Sequence, residues 1–137
     1  MPPANKLMQI ATADDPKKAI LSAIGDVSKI SLFSGRVLLA TYIAPEKTAG
    51  GIYRPVNNVK EDIWQGVVGL VVKKGATAFK DDDTTKFQGQ DVQVGDWVTF
   101  RPGDAKRIQI NGVECRIVED VLIDMVIDNP DIVTHSR

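Results

Sequence analysis

Of the chain's 137 residues, one is cysteine and one is histidine. The single cysteine, Cys115, excludes a disulfide framework within the chain and suits a reducing compartment. One histidine and one cysteine fall short of the three or four ligands a zinc site takes. His135 stands in the terminal "THSR", where a frayed, exposed tail is expected, not a base held within reach of a substrate. Cys115 sits in a short strand-like run with no histidine nearby, which reads as a small core residue. Neither charge dominates, with 17 Lys and Arg against 18 Asp and Glu, so no basic field points to nucleic acid. No apolar run reaches the roughly 18 residues of a membrane span. The opening "MPPANKLMQIATADD" lacks the basic segment and apolar stretch of a secretory signal. These absences lead to the expectation of a cytoplasmic protein without catalytic centre, metal or cofactor, in one domain.

Asp15 can cap a helix whose first position is Pro16, where the missing N–H is harmless. Ile20, Ile24 and Val27 form one apolar stripe and Gly25 marks a stop, so the pattern predicts a helix over 16–24. That helix either covers the body of its own chain or docks on another subunit. From Gly35 on, β-branched and aromatic runs alternate with turn signals. The runs are "RVLLATYI" (36–43), "WQGVVGLVVK" (64–73), "DWVTF" (96–100), "RIQI" (107–110), "VECRIV" (113–118) and "VLIDMVI" (121–127). Asn111-Gly112 signals a two-residue hairpin turn and "RPGD" (101–104) another turn. No helical pattern separates these runs, so the expectation is an antiparallel β-barrel, not a parallel sheet.

Two long connections interrupt the strands, and such loops are commonly functional. The first contains "KTAGGIYRPVNN" (47–58) and extends to Ile63. Its paired glycines disfavour regular structure, so Ile52 and Tyr53 either fold inward or are offered to a partner. The second is "GATAFKDDDTTKFQGQD" (75–91), whose Asp81, Asp82 and Asp83 read as a solvated tip, since the spacing of a calcium loop is missing. "GVVG" (66–69) precedes no helix and is not a phosphate-binding loop.

Taken in order, these segments resemble the GroES co-chaperonins. "GRVLLATYIAPEKTAGGI" is similar to that family's first strand and mobile loop, and "WQGVVGLVVKKG" to the strand after it. "DVQVGDWVTF" resembles the family's Val-x-Val-Gly-Asp-x-Val-x-Phe stretch, and "INGVECRIVEDVLIDMV" its closing hairpin and last strand. The matches cover about residues 35–127. Medium-chain alcohol dehydrogenases share the fold and a Val-Gly-Asp-x-Val segment. Their Gly-His-Glu signature, zinc-binding cysteines and dinucleotide domain have no counterpart in this sequence, which argues against an enzyme.

The resemblance implies a GroES-like barrel over 35–128, preceded by an extension (1–34) carrying the helix and followed by a tail (129–137). It further implies a ring of seven subunits that closes a GroEL-type chaperonin and assists ATP-dependent folding. By the same resemblance each mobile loop docks a short apolar segment, mapped here to Ile52, Tyr53 and Val56 with Arg54 and Pro55 between, hinged at Gly50 and Gly51. Where the family has three aliphatic residues this sequence has Ile-Tyr, then Arg54, which either meets an acid on the partner or points to solvent. Burying two large apolar side chains supplies about 3–6 kcal/mol gross, and ordering the loop takes back about 1–2 kcal/mol per residue fixed. One loop is therefore weak, and a ring of them gains through effective concentration. The altered loop, the longer 75–91 connection and the added helix associate the chain with phage-encoded co-chaperonins serving a capsid protein. The alternative is a virion structural or cement protein built on the same barrel.

Overall fold

The computed structural model describes residues 15–42 and 68–132. It begins with helix α1 (Pro16–Ile24), which follows from its ends inward. The Asp15 side chain accepts the Lys18 N–H at 3.2 Å and Pro16 opens the first turn. Gly25, at φ 77°, ends the helix in the left-handed region that glycine enters freely. Six strands follow: β1 (Arg36–Tyr42), β2 (Val68–Lys74), β3 (Trp97–Phe100), β4 (Lys106–Ile110), β5 (Val113–Glu119) and β6 (Ile123–Ile127). All their pairings are antiparallel, in one sheet of order β4-β5-β1-β2-β3-β6.

Both faces of the sheet are apolar, and alternation along β1 divides them. Leu38, Ala40 and Tyr42 join Val68, Leu70, Val72, Trp97, Val113 and Cys115 on one face, completed by Ile20 and Ile24 of α1. Val37 and Leu39 join Val71, Val98, Phe100 and Val118 on the other, completed by Ala78 and Val92. The helix thus spends its apolar stripe on its own chain, with Ile20 and Ile24 at 0% and 1% exposure. Between α1 and β1, residues 25–35 pack Val27, Ile30 and Leu32 against the first cluster. Lys73 Nζ ties this strap down by donating to the carbonyls of Val27 (2.7 Å) and Ser28 (3.3 Å).

The all-β, antiparallel architecture is the expected one, but the sheet is not closed. β4 pairs only with β5 and β6 only with β3 among the described residues, so both remain edges. Burial comes instead from covers: α1 with its strap over one face, and the 75–92 connection with Leu122 and Ala105 over the other.

Candidate functional site

Gly50, Gly51, Ile52, Tyr53, Arg54, Pro55 and Val56, the apolar strip singled out above, lie outside the described residues, as does His135. The structure does place the strip's root. β1 ends at Tyr42 and β2 begins at Val68, and these two residues are register partners. The connection 43–67 therefore leaves and rejoins the sheet on adjacent strands at one end.

That root is stiff. Tyr42 is 2% exposed, and its ring lies 5.2 Å from that of Trp97, tilted by 59°, a spacing and tilt at which aromatic pairs attract beyond their buried area. One rung inward Thr41 pairs with Gly69. A Cβ on Gly69 would stand 2.9 Å from Leu39 Cβ, so β2 lies closer to β1 than an alanine would permit. "GVVG" accordingly supplies a strand glycine needed for packing.

Near this end, a buried charged group occupies the face opposite Cys115. Glu114 is 4% exposed and accepts from Arg107 Nε and Nη2 at 3.3 Å and from Gln109 Nε2 at 3.0 Å. Arg116, 2% exposed, is the register partner of Arg107. Burial, then the Arg107 charge, pull the Arg116 pKa below its ordinary value, while Glu114 opposes the shift. Glu114 places a negative charge beside two neighbouring guanidinium groups, one buried and one half-buried, and so offsets part of their repulsion. Burial, helped by the Glu114 charge, pushes the Cys115 thiol up to about 12, so it is an inert core group and not a nucleophile.

At the opposite end of the sheet the 75–91 connection is organised by its own polar groups. Asp82 accepts the N–H groups of Thr85 (2.6 Å) and Thr84 (2.8 Å), and Asp81 accepts that of Phe87 (2.6 Å). The three aspartates are exposed, as expected of a solvated tip, and two of them also fold the loop. Phe79 and Phe87 meet edge to face at 5.6 Å. Asp120, at the corner between β5 and β6, accepts the Phe79 N–H at 2.9 Å and the Val121 N–H at 2.8 Å, and its own N–H donates to the Gly35 carbonyl at 2.9 Å. One residue thereby joins the connection and the corner through its carboxylate and the start of β1 through its backbone N–H. Sequence reading missed Asp120; its only sequence signal is an aspartate between two apolar runs, a common turn former.

Between this connection and β6 runs a groove of about 710 Å³ lined by Phe79, Phe87, Val121, Met125 and Val126 among others. Val121, Met125 and Val126 are each about half exposed on or beside an edge strand, the kind of edge that pairs with another chain unless protected. Among the described residues, no three His, Cys, Asp or Glu side chains group as metal ligands, and no helix is long and apolar enough to cross a membrane.

Residues 29–127 match the family described as the chaperonin 10 kDa subunit, Cpn10, a segment that begins after α1 and ends with β6. No curated protein sequence matches the chain.

Proposed function

Since the chain belongs to the chaperonin 10 kDa subunit family, whose members work with GroEL-type chaperonins as oligomeric rings, we propose that it is a co-chaperonin capping such a chaperonin through the 43–67 connection. In this reading Ile52, Tyr53 and Val56 are the docking side chains, and Gly50 and Gly51 give the strip the backbone freedom to fit a groove. The ring has seven subunits, and the protein has no chemistry of its own: the chaperonin supplies the ATP-driven step.

The observation that carries the reading is the Tyr42–Val68 rung. It supports a strip tethered at two adjacent points of a rigid sheet, the arrangement that multivalent capture requires. A single strip gains little after its ordering entropy is subtracted. Several strips on one ring act as linked modules, so modest losses at each are enough to release the cap when the chaperonin changes state.

The test is capture by a GroEL-type chaperonin in the presence of nucleotide. The wild-type ring is expected to be retained, and Ile52→Asp with Tyr53→Asp to abolish retention while leaving native mass unchanged. Undiminished capture of the double variant defeats the docking role. Absence of capture even for the wild type, with the protein present at fixed stoichiometry in purified virions, would favour the structural alternative.

A further inference from the structure

Helix α1 lies outside the segment that matches the family, which starts at residue 29, yet the sheet holds it tightly. Its last carbonyl, at Ile24, accepts a 2.6 Å hydrogen bond from Asn111 Nδ2. Asn111 opens the β4–β5 turn, with φ 51° followed by 78° at Gly112, so one residue both makes a tight hairpin and caps a helix 87 positions away in sequence. β5 starts just after this turn, at Val113. The antiparallel rung Ala40–Cys115 puts that start at the end of the sheet where β1 finishes. Ile20 and Ile24 then complete the cluster that holds Tyr42, Val68, Trp97 and Val113. The C-terminus of the helix and the turn therefore lie at the end of the sheet that carries the Tyr42–Val68 rung, while Gly75 and Asp120 secure the other.

We infer that α1 and Asn111 form a clamp on the root of the 43–67 connection, positioning elements that hold the end of the β1–β2 hairpin still so that the docking strip starts from a fixed place. The inference rests on the docking reading above. A tethered strip searches the space its root and length allow, so a root that opens spreads the same strip over a larger volume and lowers its effective concentration at the groove. The clamp works by packing and one capping bond, and touches no partner itself. Its signature is therefore local: loosening it frees the rungs at Tyr42, Val68 and Val113 but not those at Val37 and Lys74.

The experiment uses the full chain and two variants. Asn111→Gly keeps the positive-φ turn and removes the donor to Ile24. Ile20→Ala with Ile24→Ala empties the helix's share of the cluster. Amide hydrogen exchange is read at both ends of the β1–β2 hairpin, alongside native mass and chaperonin capture. Expected is a rise in exchange near Tyr42 and Val68 of roughly fivefold in Asn111→Gly, the worth of one hydrogen bond, and more in the double variant. Exchange near Val37 and Lys74 and the native mass stay as in the wild type, and capture weakens severalfold. Unchanged exchange at the root in both variants overturns the clamp, and so does an equal rise at both ends, which marks general destabilisation. Wild-type capture despite a loosened root, when Ile52→Asp with Tyr53→Asp abolishes it, overturns the positioning role. Capture indifferent to that Asp pair is a failure of the docking reading instead, and the clamp is then decided by exchange alone.

Discussion

Gly75 offers a sharp steric test of the packing between the strap and the sheet. Its N–H donates to the Arg36 carbonyl at 2.8 Å, and a Cβ there would lie 2.2 Å from the Ser34 carbonyl oxygen, with the Arg36 and Leu32 oxygens at 3.1 and 3.2 Å. Its φ lies outside the left-handed region, so Gly75→Ala brings no backbone strain and the whole effect is collision. The Ser34 carbonyl cannot simply turn away, because it accepts the Thr77 N–H. Relief needs a backbone shift of roughly 1 Å that breaks one or both of these bonds. Overpacking of this kind costs about 1–3 kcal/mol, and one weakened backbone bond adds about 1 kcal/mol. The expected destabilisation is about 2–4 kcal/mol, or a fall of several degrees in Tm per kcal/mol for a chain of this size. Gly103→Ala is the control, since nothing lies within 4 Å of its added Cβ and its φ is ordinary. There the loss of unfolded-state entropy predicts a neutral to slightly stabilising change, up to about 1 kcal/mol. Denaturant unfolding at one fixed protein concentration measures both, which matters for a chain whose family assembles. Gly75→Ala within about 0.5 kcal/mol of wild type, or Gly103→Ala as damaging as Gly75→Ala, refutes the reasoning.

Cys115, at 0% exposure with its thiol pushed up to about 12, is expected to resist a thiol reagent at pH 8 in the native protein and react at once in denaturant; native labelling at the rate of a free thiol would contradict its burial. Asp82 is held below the ordinary carboxylate value of 3.8 by the N–H groups of Thr85 and Thr84. A depressed folded pKa means its support is complete above pH 3.8 and fades as pH falls through the lower folded value. Acidification below that point should therefore lower the protection of the Thr84 and Thr85 amides in wild type, exchange being compared with the intrinsic rate at each pH, and Asp82→Asn should show lowered protection already at neutral pH. No difference between the two proteins at neutral pH would remove Asp82 from the loop's support.

Helix α1 was legible because its signals are local: Asp15 before Pro16, an apolar stripe, and Gly25 at the stop. The strands were legible for the same reason, and the Asn111-Gly112 turn has the positive φ values its residues announce. The run 121–127 was read too long, since residues 120–122 form a 3₁₀ turn and β6 starts only at Ile123. An apolar run does not reveal that an aspartate at its border bends the chain. Asp120 and the Asn111 side chain act on Phe79 and Ile24, tens of positions away, so periodicity carries no trace of them. Glu114 and Arg116 illustrate the other limit. They are charged residues alternating with Val113 and Cys115, yet both are buried, Glu114 against Arg107 and Gln109. Of the candidate site, the strip at 50–56 is an expectation from its paired glycines and the resemblance and lies outside the described residues, whereas the packing of the Tyr42–Val68 root needed coordinates.

Because Tyr42 and Val68 are paired neighbours, the scaffold is nearly indifferent to how much chain is strung between them. Doubling the length of such a closed segment adds only about 0.6 kcal/mol of closure entropy. The hairpin end is thus a socket, into which peptides of other lengths and compositions can be spliced without rewriting the six strands. In the docking reading proposed above, specificity for a different recipient is exchanged there while the assembly stays the same.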